Sequence, residues 1–148
     1  MSLAQPHGGM PGTIGGGSDA EQEGSPVMSP STPTALYLAA LQPRAGKSLV
    51  ALGILELLSR RIDDIGYFRP VVPSAQDHRI ALMRDRYRMG DRAAYAWTDH
   101  EVDAMLAQGR TDDVFKGVIA AYRDLAERCG FVLIEGTDQT GTRSALEF

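Results

Sequence analysis

Short apolar runs and longer amphipathic runs alternate along the chain. The short runs have the length of buried parallel strands, and they lie at residues 35–40, 65–72 and 131–134. The longer runs predict helices, over residues 49–61, 77–87, 99–107 and 112–128. Alternation of this kind is typical of an α/β fold, in which helices cover both faces of a parallel sheet. We therefore expect three layers around a three-stranded sheet.

The helices each carry a predicted apolar face. In the first helix this face consists of Leu49, Leu52, Ile54, Leu55 and Leu58. In the last helix it consists of Val114, Val118, Ile119, Tyr122 and Leu125. Thr111 is placed to cap the last helix, and Cys129 is expected to pack as a small apolar residue. We interpret the alanine-rich run 93–97, with Tyr95 and Trp97, as core packing or as cover for a helix end.

The first 34 residues differ in composition from the rest of the chain. They contain seven Gly, five Pro and three acidic residues but neither Lys nor Arg. Such a segment cannot bury enough apolar surface to offset its ordering entropy, so we expect residues 1–34 to form a disordered tail. Residues 35–148 form the one predicted domain. No further strand and helix follow Glu135, so we expect this domain to be truncated at its carboxy terminus.

Composition and charge exclude several classes of partner. Fifteen basic and nineteen acidic residues give a net charge of −4, which argues against binding to nucleic acid. No apolar run reaches the ~18 residues of a membrane span, and no secretory signal is visible. The single cysteine excludes an intramolecular disulfide and a cysteine-based zinc site. These features predict a cytoplasmic protein with no membrane partner.

The sequence Gly46-Lys47-Ser48 lies between the first predicted strand and the first predicted helix. In a phosphate-binding loop at this place, backbone N–H groups and the helix amino terminus hold phosphate oxygens, the lysine pairs with the outer phosphates, and the hydroxyl binds magnesium. The motif is half present, because Leu41 stands where the first glycine belongs and Pro43 removes a backbone donor. We predict that Gly46, Lys47 and Ser48 contact a nucleotide.

Two other strand ends carry candidate ligand groups. Glu135 ends the third predicted strand, at the sheet edge where ligands collect, and could hold magnesium together with Ser48. Arg69 is expected to end the second strand on the same edge, where a guanidinium could reach a phosphate or a carboxylate. A further group of arginines is interleaved with aspartates, and we interpret it as a solvated face without a role: Arg79, Arg84, Arg86, Arg88 and Arg92.

Taken in order, these segments resemble a known family. Residues 35–40, Gly46-Lys47-Ser48, Leu52-Gly53, residues 65–70 and residues 132–138 together are similar to the amino-terminal domain of long bacterial phosphate acetyltransferases. That domain in turn resembles dethiobiotin synthetase, a P-loop fold. The resemblance covers residues 35–148. Because the synthetase has a lysine before its second-strand proline, Arg69 is a departure from its pattern.

The resemblance implies a regulatory, nucleotide-binding-like domain, with ATP and magnesium as ligands and a nucleotide or small-molecule effector. It also implies a homo-oligomer, and it places acetyl transfer in a carboxy-terminal domain absent from this chain, so no catalytic residue is predicted here. One alternative is an ATP-dependent ligase of the dethiobiotin-synthetase type. Another is a structural module that has lost nucleotide binding and joins subunits through an open sheet edge, a reading that Leu41 and Pro43 favour.

Overall fold

A computed structural model describes residues 33–40 and 46–137, all of which belong to one compact unit, Ser31–Phe148. The strands are β1 (Thr34–Leu38), β2 (Ile65–Val72), β3 (Ala93–Thr98) and β4 (Phe131–Glu135). The helices are α1 (Lys47–Leu58), α2 (His78–Arg86), α3 (Asp99–Ala107) and α4 (Thr111–Ala126), and a short 3₁₀ turn, Gly90–Arg92, precedes β3.

The strands form one parallel sheet in the order β1, β4, β2, β3. Strand β4 therefore lies between β1 and β2, with Leu133 opposite both Leu36 of β1 and Tyr67 of β2. Strands β1 and β2 follow each other in the chain and are joined by α1, but they are not neighbours in the sheet because β4 lies between them. This arrangement brings the end of β4 beside the beginning of α1, because the carboxyl ends of parallel strands share one edge.

Helices cover both faces of the sheet, as the sequence predicts for an α/β fold. On one face, Ala51 and Leu55 of α1 and Met83 of α2 pack against Tyr67 and Leu133. On the other face, Leu125 of α4 packs with Phe68, Val132 and Cys129, and burial raises the pKa of the Cys129 thiol. Helix α3 joins α4 in a third cluster of buried side chains: Val102, Met105 and Val114. The predicted three-layer architecture is confirmed.

The expectation of three strands is wrong, because residues 93–98 form β3. Alanine favours helices and has low strand propensity, so the alanines at 93, 94 and 96 hid the strand. The position beside β2 decides the conformation here, with Tyr95 opposite Arg69 and Trp97 opposite Val71. The indole nitrogen of Trp97 donates a hydrogen bond to the Val114 carbonyl oxygen, which ties β3 to α4.

Four finer predictions also need correction. Strand β1 is not fully buried, since it is an edge strand among the described residues and Tyr37 is 60% exposed. Leu49 and Ile119 do not belong to buried helix faces, because both side chains are exposed. Thr111 is the first residue of α4 and not its cap, and Arg110 precedes the helix without a side-chain capping bond.

The predicted tail, except for residues 33 and 34, lies outside the described residues. So do Leu41 and Pro43 of the expected loop and the segment 138–148, on which the prediction of truncation depends. Within the described ranges, no helix combines the length and apolar character that crossing a membrane requires.

Candidate functional site

The predicted nucleotide-contact residues meet at the amino terminus of α1. Gly46 adopts a left-handed conformation, with φ 78°, that glycine reaches without the penalty of a side chain. Its carbonyl oxygen accepts hydrogen bonds from the N–H groups of Leu49 and Val50. The first N–H groups of any α-helix have no carbonyl partner within the helix. A helix start of this form favours an anionic ligand.

Lys47 begins the buried stripe of α1 instead of pointing away from it. The stripe consists of Lys47, Ala51 and Leu55, which are four residues apart and therefore lie on one helix face. The Lys47 ammonium donates to the carbonyl oxygens of Gly136, at 2.8 Å, and Thr137, at 3.0 Å. These carbonyls directly follow β4, so the lysine joins the start of α1 to the carboxyl edge of the sheet.

Glu135 is the fully buried centre of the site. Its Oε1 accepts a hydrogen bond from the Ser48 hydroxyl at 2.8 Å, and its Oε2 accepts one from the Tyr67 hydroxyl at 2.6 Å. Arg79 at the start of α2 reaches Oε1 with its Nη1 at 3.4 Å. This hydrogen bond brings together Ser48 and Glu135, the two predicted magnesium ligands, which are 87 residues apart in the chain, and the magnesium site itself stays a prediction.

Tyr67 holds one oxygen of this carboxylate. Burial raises the pKa of the Tyr67 hydroxyl far above its usual range, and the charge of Glu135 and the hydrogen bond to it add to the rise. The phenol therefore keeps its proton and acts as a fixed donor. Because Tyr67 occupies Oε2, the other oxygen faces Ser48 and Arg79, and the carboxylate has one orientation.

Arg69 forms a buried ion pair within the protein. The strand continues beyond it to Val72, so the expectation that Arg69 ends β2 is wrong. Its Nη1 lies 2.7 Å from Asp77 Oδ2, and the two side chains are 1% and 2% exposed. Among the described residues, the Arg69 Nε has no hydrogen-bond partner. The predicted contact between Arg69 and a ligand stays a prediction.

Asp77 has a second structural task besides the ion pair. Its Oδ1 accepts hydrogen bonds from the N–H groups of Arg79 and Ile80, both at 3.0 Å, and so caps α2. Burial opposes ionisation of Asp77, but the Ile80 N–H and the Arg69 guanidinium outweigh it and hold the pKa of this carboxyl below its usual range. The cap and the ion pair together fix the start of α2 beside β2.

The donor atoms that meet at this edge fit a magnesium–nucleotide complex. The Ser48 hydroxyl and the Glu135 carboxylate offer the oxygen ligands that magnesium prefers, the α1 amino terminus offers backbone donors for phosphate, and Lys47 places a positive charge beside them. The ion would screen the charge of the phosphates. No group of three or more His, Cys, Asp or Glu side chains that could hold a metal alone is found in residues 33–40 and 46–137. Phosphate oxygens and water molecules would therefore complete the coordination.

Sequence reasoning missed three residues of this site: Tyr67, Asp77 and Arg79. Asp77 carried a usable signal, because an aspartate directly before a predicted helix is a favoured cap. Tyr67 carried a weaker one, since it lies two positions before Arg69 on the same face of a strand. Arg79 gave none, because arginines at positions 79 to 92 look alike in the sequence. The interpretation of that whole run as a solvated face is wrong for Arg79, which contacts buried Glu135.

Comparison with known proteins agrees with this architecture. Residues 34–147 match the AAA domain family. The phosphate acetyltransferase of Synechocystis sp. is 36% identical over an alignment of 125 residues, which covers 78% of this chain and 17% of that protein. The phosphate acetyltransferase of Nitratidesulfovibrio vulgaris is 30% identical over 119 residues, 76% of this chain and 17% of that protein.

The chain thus spans less than a fifth of the length of these curated relatives. No match to a solved structure was found. The resemblance to phosphate acetyltransferases that the ordered motifs predict is confirmed. By its match over residues 34–147, the chain belongs to the AAA domain family.

Proposed function

We propose that this chain is a nucleotide-binding regulatory domain of a phosphate acetyltransferase. The observation that carries the proposal is the hydrogen bond between Ser48 and Glu135, which joins the start of α1 to the end of β4. It places a hydroxyl, a carboxylate and Lys47 around one helix amino terminus. The similarity to two phosphate acetyltransferases supports the choice of parent enzyme. Acetyl transfer between coenzyme A and phosphate is assigned to another domain of that enzyme.

Ligase chemistry of the dethiobiotin-synthetase type receives less support. The resemblance requires a lysine before the second-strand proline, and the residue there is Arg69, paired with Asp77 at 2.7 Å. A guanidinium keeps its proton at all accessible pH values, whereas an ammonium can lose one. Arg69 therefore cannot take over the role of that lysine, and a role in sensing a nucleotide suits the site better.

The proposal is tested by titrating the chain with ATP and magnesium while following its melting temperature. ATP at one hundred times its Kd would stabilise the fold by about 2.7 kcal/mol. We expect Lys47→Ala to abolish this shift and Ser48→Ala to reduce it. Lys116→Ala is the matched control, because Lys116 is the other lysine of the chain and lies exposed on α4. An unchanged melting temperature of the wild-type chain at millimolar ATP would contradict the proposal.

A second candidate is a module that joins subunits, and exposed apolar side chains favour it. Leu49 and Leu57 of α1 are 74% and 70% exposed, and Tyr37 projects from the edge strand β1. Light scattering separates the two candidates. A stable dimer that ATP does not affect, and that Leu49→Lys and Leu57→Lys disrupt, would favour the structural module.

A further inference from the structure

The two oxygens of the Glu135 carboxylate have different surroundings. Oε1 accepts hydrogen bonds from Ser48 and Arg79, whose side chains are only partly buried, at 2.8 Å and 3.4 Å. Oε2 accepts its hydrogen bond from the Tyr67 hydroxyl, at 2.6 Å, and Tyr67 is 0% exposed. The carboxylate therefore has an outer oxygen beside the amino terminus of α1 and an inner oxygen that is bound to a core residue.

Tyr67 is held firmly in its position. It lies within β2, between Ala93 of β3 on one side and Leu133 of β4 on the other. Leu55 of α1 belongs to the same cluster of buried side chains. A ring in such a cluster cannot turn its hydroxyl away from Glu135 without leaving a buried donor unpaired, which is costly. The hydrogen bond between Tyr67 and Oε2 is therefore a fixed part of the fold.

The number of oxygens that a carboxylate offers affects the choice of metal ion. Mg²⁺ demands near-octahedral geometry at about 2.0–2.1 Å and is usually bound through one or two carboxylates together with phosphates and waters. Ca²⁺ takes about six to eight oxygens at about 2.3–2.6 Å, and it can use both oxygens of one carboxylate. A carboxylate with only one available oxygen therefore disfavours Ca²⁺ while it still suits Mg²⁺.

We propose that Tyr67 is a positioning residue that leaves Glu135 one oxygen for a metal ion and so makes the site prefer Mg²⁺ to Ca²⁺. It acts through Glu135 without touching the ion, as partners of a ligating carboxylate do in other metal sites. The inference rests on the proposed function, since it requires that a metal–nucleotide complex binds beside Ser48. It assigns a role in selectivity to a residue outside the motif Gly46-Lys47-Ser48.

Tyr67→Phe tests this role, because it removes the hydroxyl and keeps the ring. Isothermal titration calorimetry measures the Kd of ATP in the presence of Mg²⁺ and, separately, of Ca²⁺. In the wild-type chain we expect the magnesium complex to bind more tightly. In Tyr67→Phe, Oε2 is free to join Oε1 on Ca²⁺. We therefore expect the ratio of the two Kd values to shift toward Ca²⁺ by about tenfold, the size of one charge-assisted hydrogen bond that no longer has to break.

Tyr87→Phe is the matched control. It also removes a hydroxyl that donates to a carboxylate, but this carboxylate is Glu56, between α1 and α2. It leaves the ratio of the two Kd values unchanged. A merely structural role of Tyr67 would weaken the magnesium and calcium complexes alike. An unchanged ratio in Tyr67→Phe therefore refutes the proposal.

The wild-type chain also tests the proposal by itself, whatever the stability of Tyr67→Phe. A tighter magnesium complex supports the proposal. Equal Kd values with the two metals refute it, while the proposed function still stands because ATP binds. If the wild-type chain binds ATP with neither metal, the proposed function fails and the inference fails with it.

Discussion

The ion pair between Arg69 and Asp77 holds α2 against β2. Removing the charge of Asp77 should lower the free energy of unfolding more than removing the charge of Arg69. Asp77→Asn keeps an oxygen that can cap α2, but it leaves the Arg69 guanidinium, 1% exposed, without a counter-ion. Breaking a buried pair in this way costs about 3–5 kcal/mol of unfolding free energy. Asp77→Ala also removes the cap to Arg79 and Ile80, which adds about 1 kcal/mol.

The reverse substitution should be milder. In Arg69→Met, the Asp77 carboxylate keeps its two hydrogen bonds from the backbone of α2, so part of its burial cost stays compensated. In Asp77→Asn, by contrast, the guanidinium loses its ionic partner, and its Nε has no partner among the described residues. The double variant Arg69→Met/Asp77→Asn buries neither charge of the pair and should recover most of the stability that Asp77→Asn loses.

Urea unfolding followed by tryptophan fluorescence measures these differences. Trp97 is the single tryptophan of the chain, and its bond to α4 makes it sensitive to the packing of the sheet. The reasoning is refuted if Asp77→Asn is no less stable than Arg69→Met. It is also refuted if the double variant is as unstable as Asp77→Asn, because an unpaired buried charge would then not be the cause.

The pH dependence of stability provides a second test of the ion pair between Arg69 and Asp77. The pKa of Asp77 is lower in the folded chain than in the unfolded one, so its contribution to stability is complete above the unfolded value of about 3.9 and is lost as the pH falls through the lower folded value. The difference in unfolding free energy between wild type and Asp77→Asn should therefore shrink below about pH 4. A difference that is constant from pH 7 to pH 3 would contradict the assigned ion pair.

Substitution of three glycines by alanine should change the stability of the fold in different directions, which thermal unfolding can measure. Gly53→Ala in α1 should stabilise the fold by about 0.5–1 kcal/mol, because the new Cβ meets no atom within 4 Å. Gly117→Ala in α4 should destabilise it by about 1–3 kcal/mol, because its Cβ would collide with the Trp97 ring. Gly46→Ala should cost about 1–2 kcal/mol through its positive φ although space is free. Equal effects at positions 53 and 117 would refute the assigned packing of Trp97.

The sequence predicts the four described α-helices from their amphipathic runs and three of the four described strands from their short apolar runs, because both patterns depend on which side chains are buried. The prediction for α3, residues 99–107, agrees with the structure at both ends, since Thr98 and Glu101 form a capping box that fixes its start. Strand β3 escaped because its alanines favour a helix when read alone. Its conformation depends on pairing with β2, which is a contact between distant residues that local propensity does not contain.

The residues of the candidate site also differ in whether local sequence or contacts between distant residues reveal them. Lys47 and Ser48 are recognisable because a short motif carries their chemistry, and Glu135 because a parallel sheet places its strand ends at one edge. Tyr67 and Arg79 become visible only when β4 is inserted between β1 and β2, which brings Glu135 beside both. The order of strands therefore determines the site as much as the motif does.

The replacement of lysine by arginine at position 69 has a consequence for the whole edge of the sheet. Arg69 is committed to Asp77, and that pair leaves Arg79 as the cation on Glu135 at the start of α2. A buried pair at 2.7 Å holds its geometry more firmly than the 3.4 Å contact between the partly exposed Arg79 and Glu135 does. The edge of the sheet thus has a rigid part, built from Arg69, Asp77 and Tyr67, that holds Glu135 and the start of α2 in place.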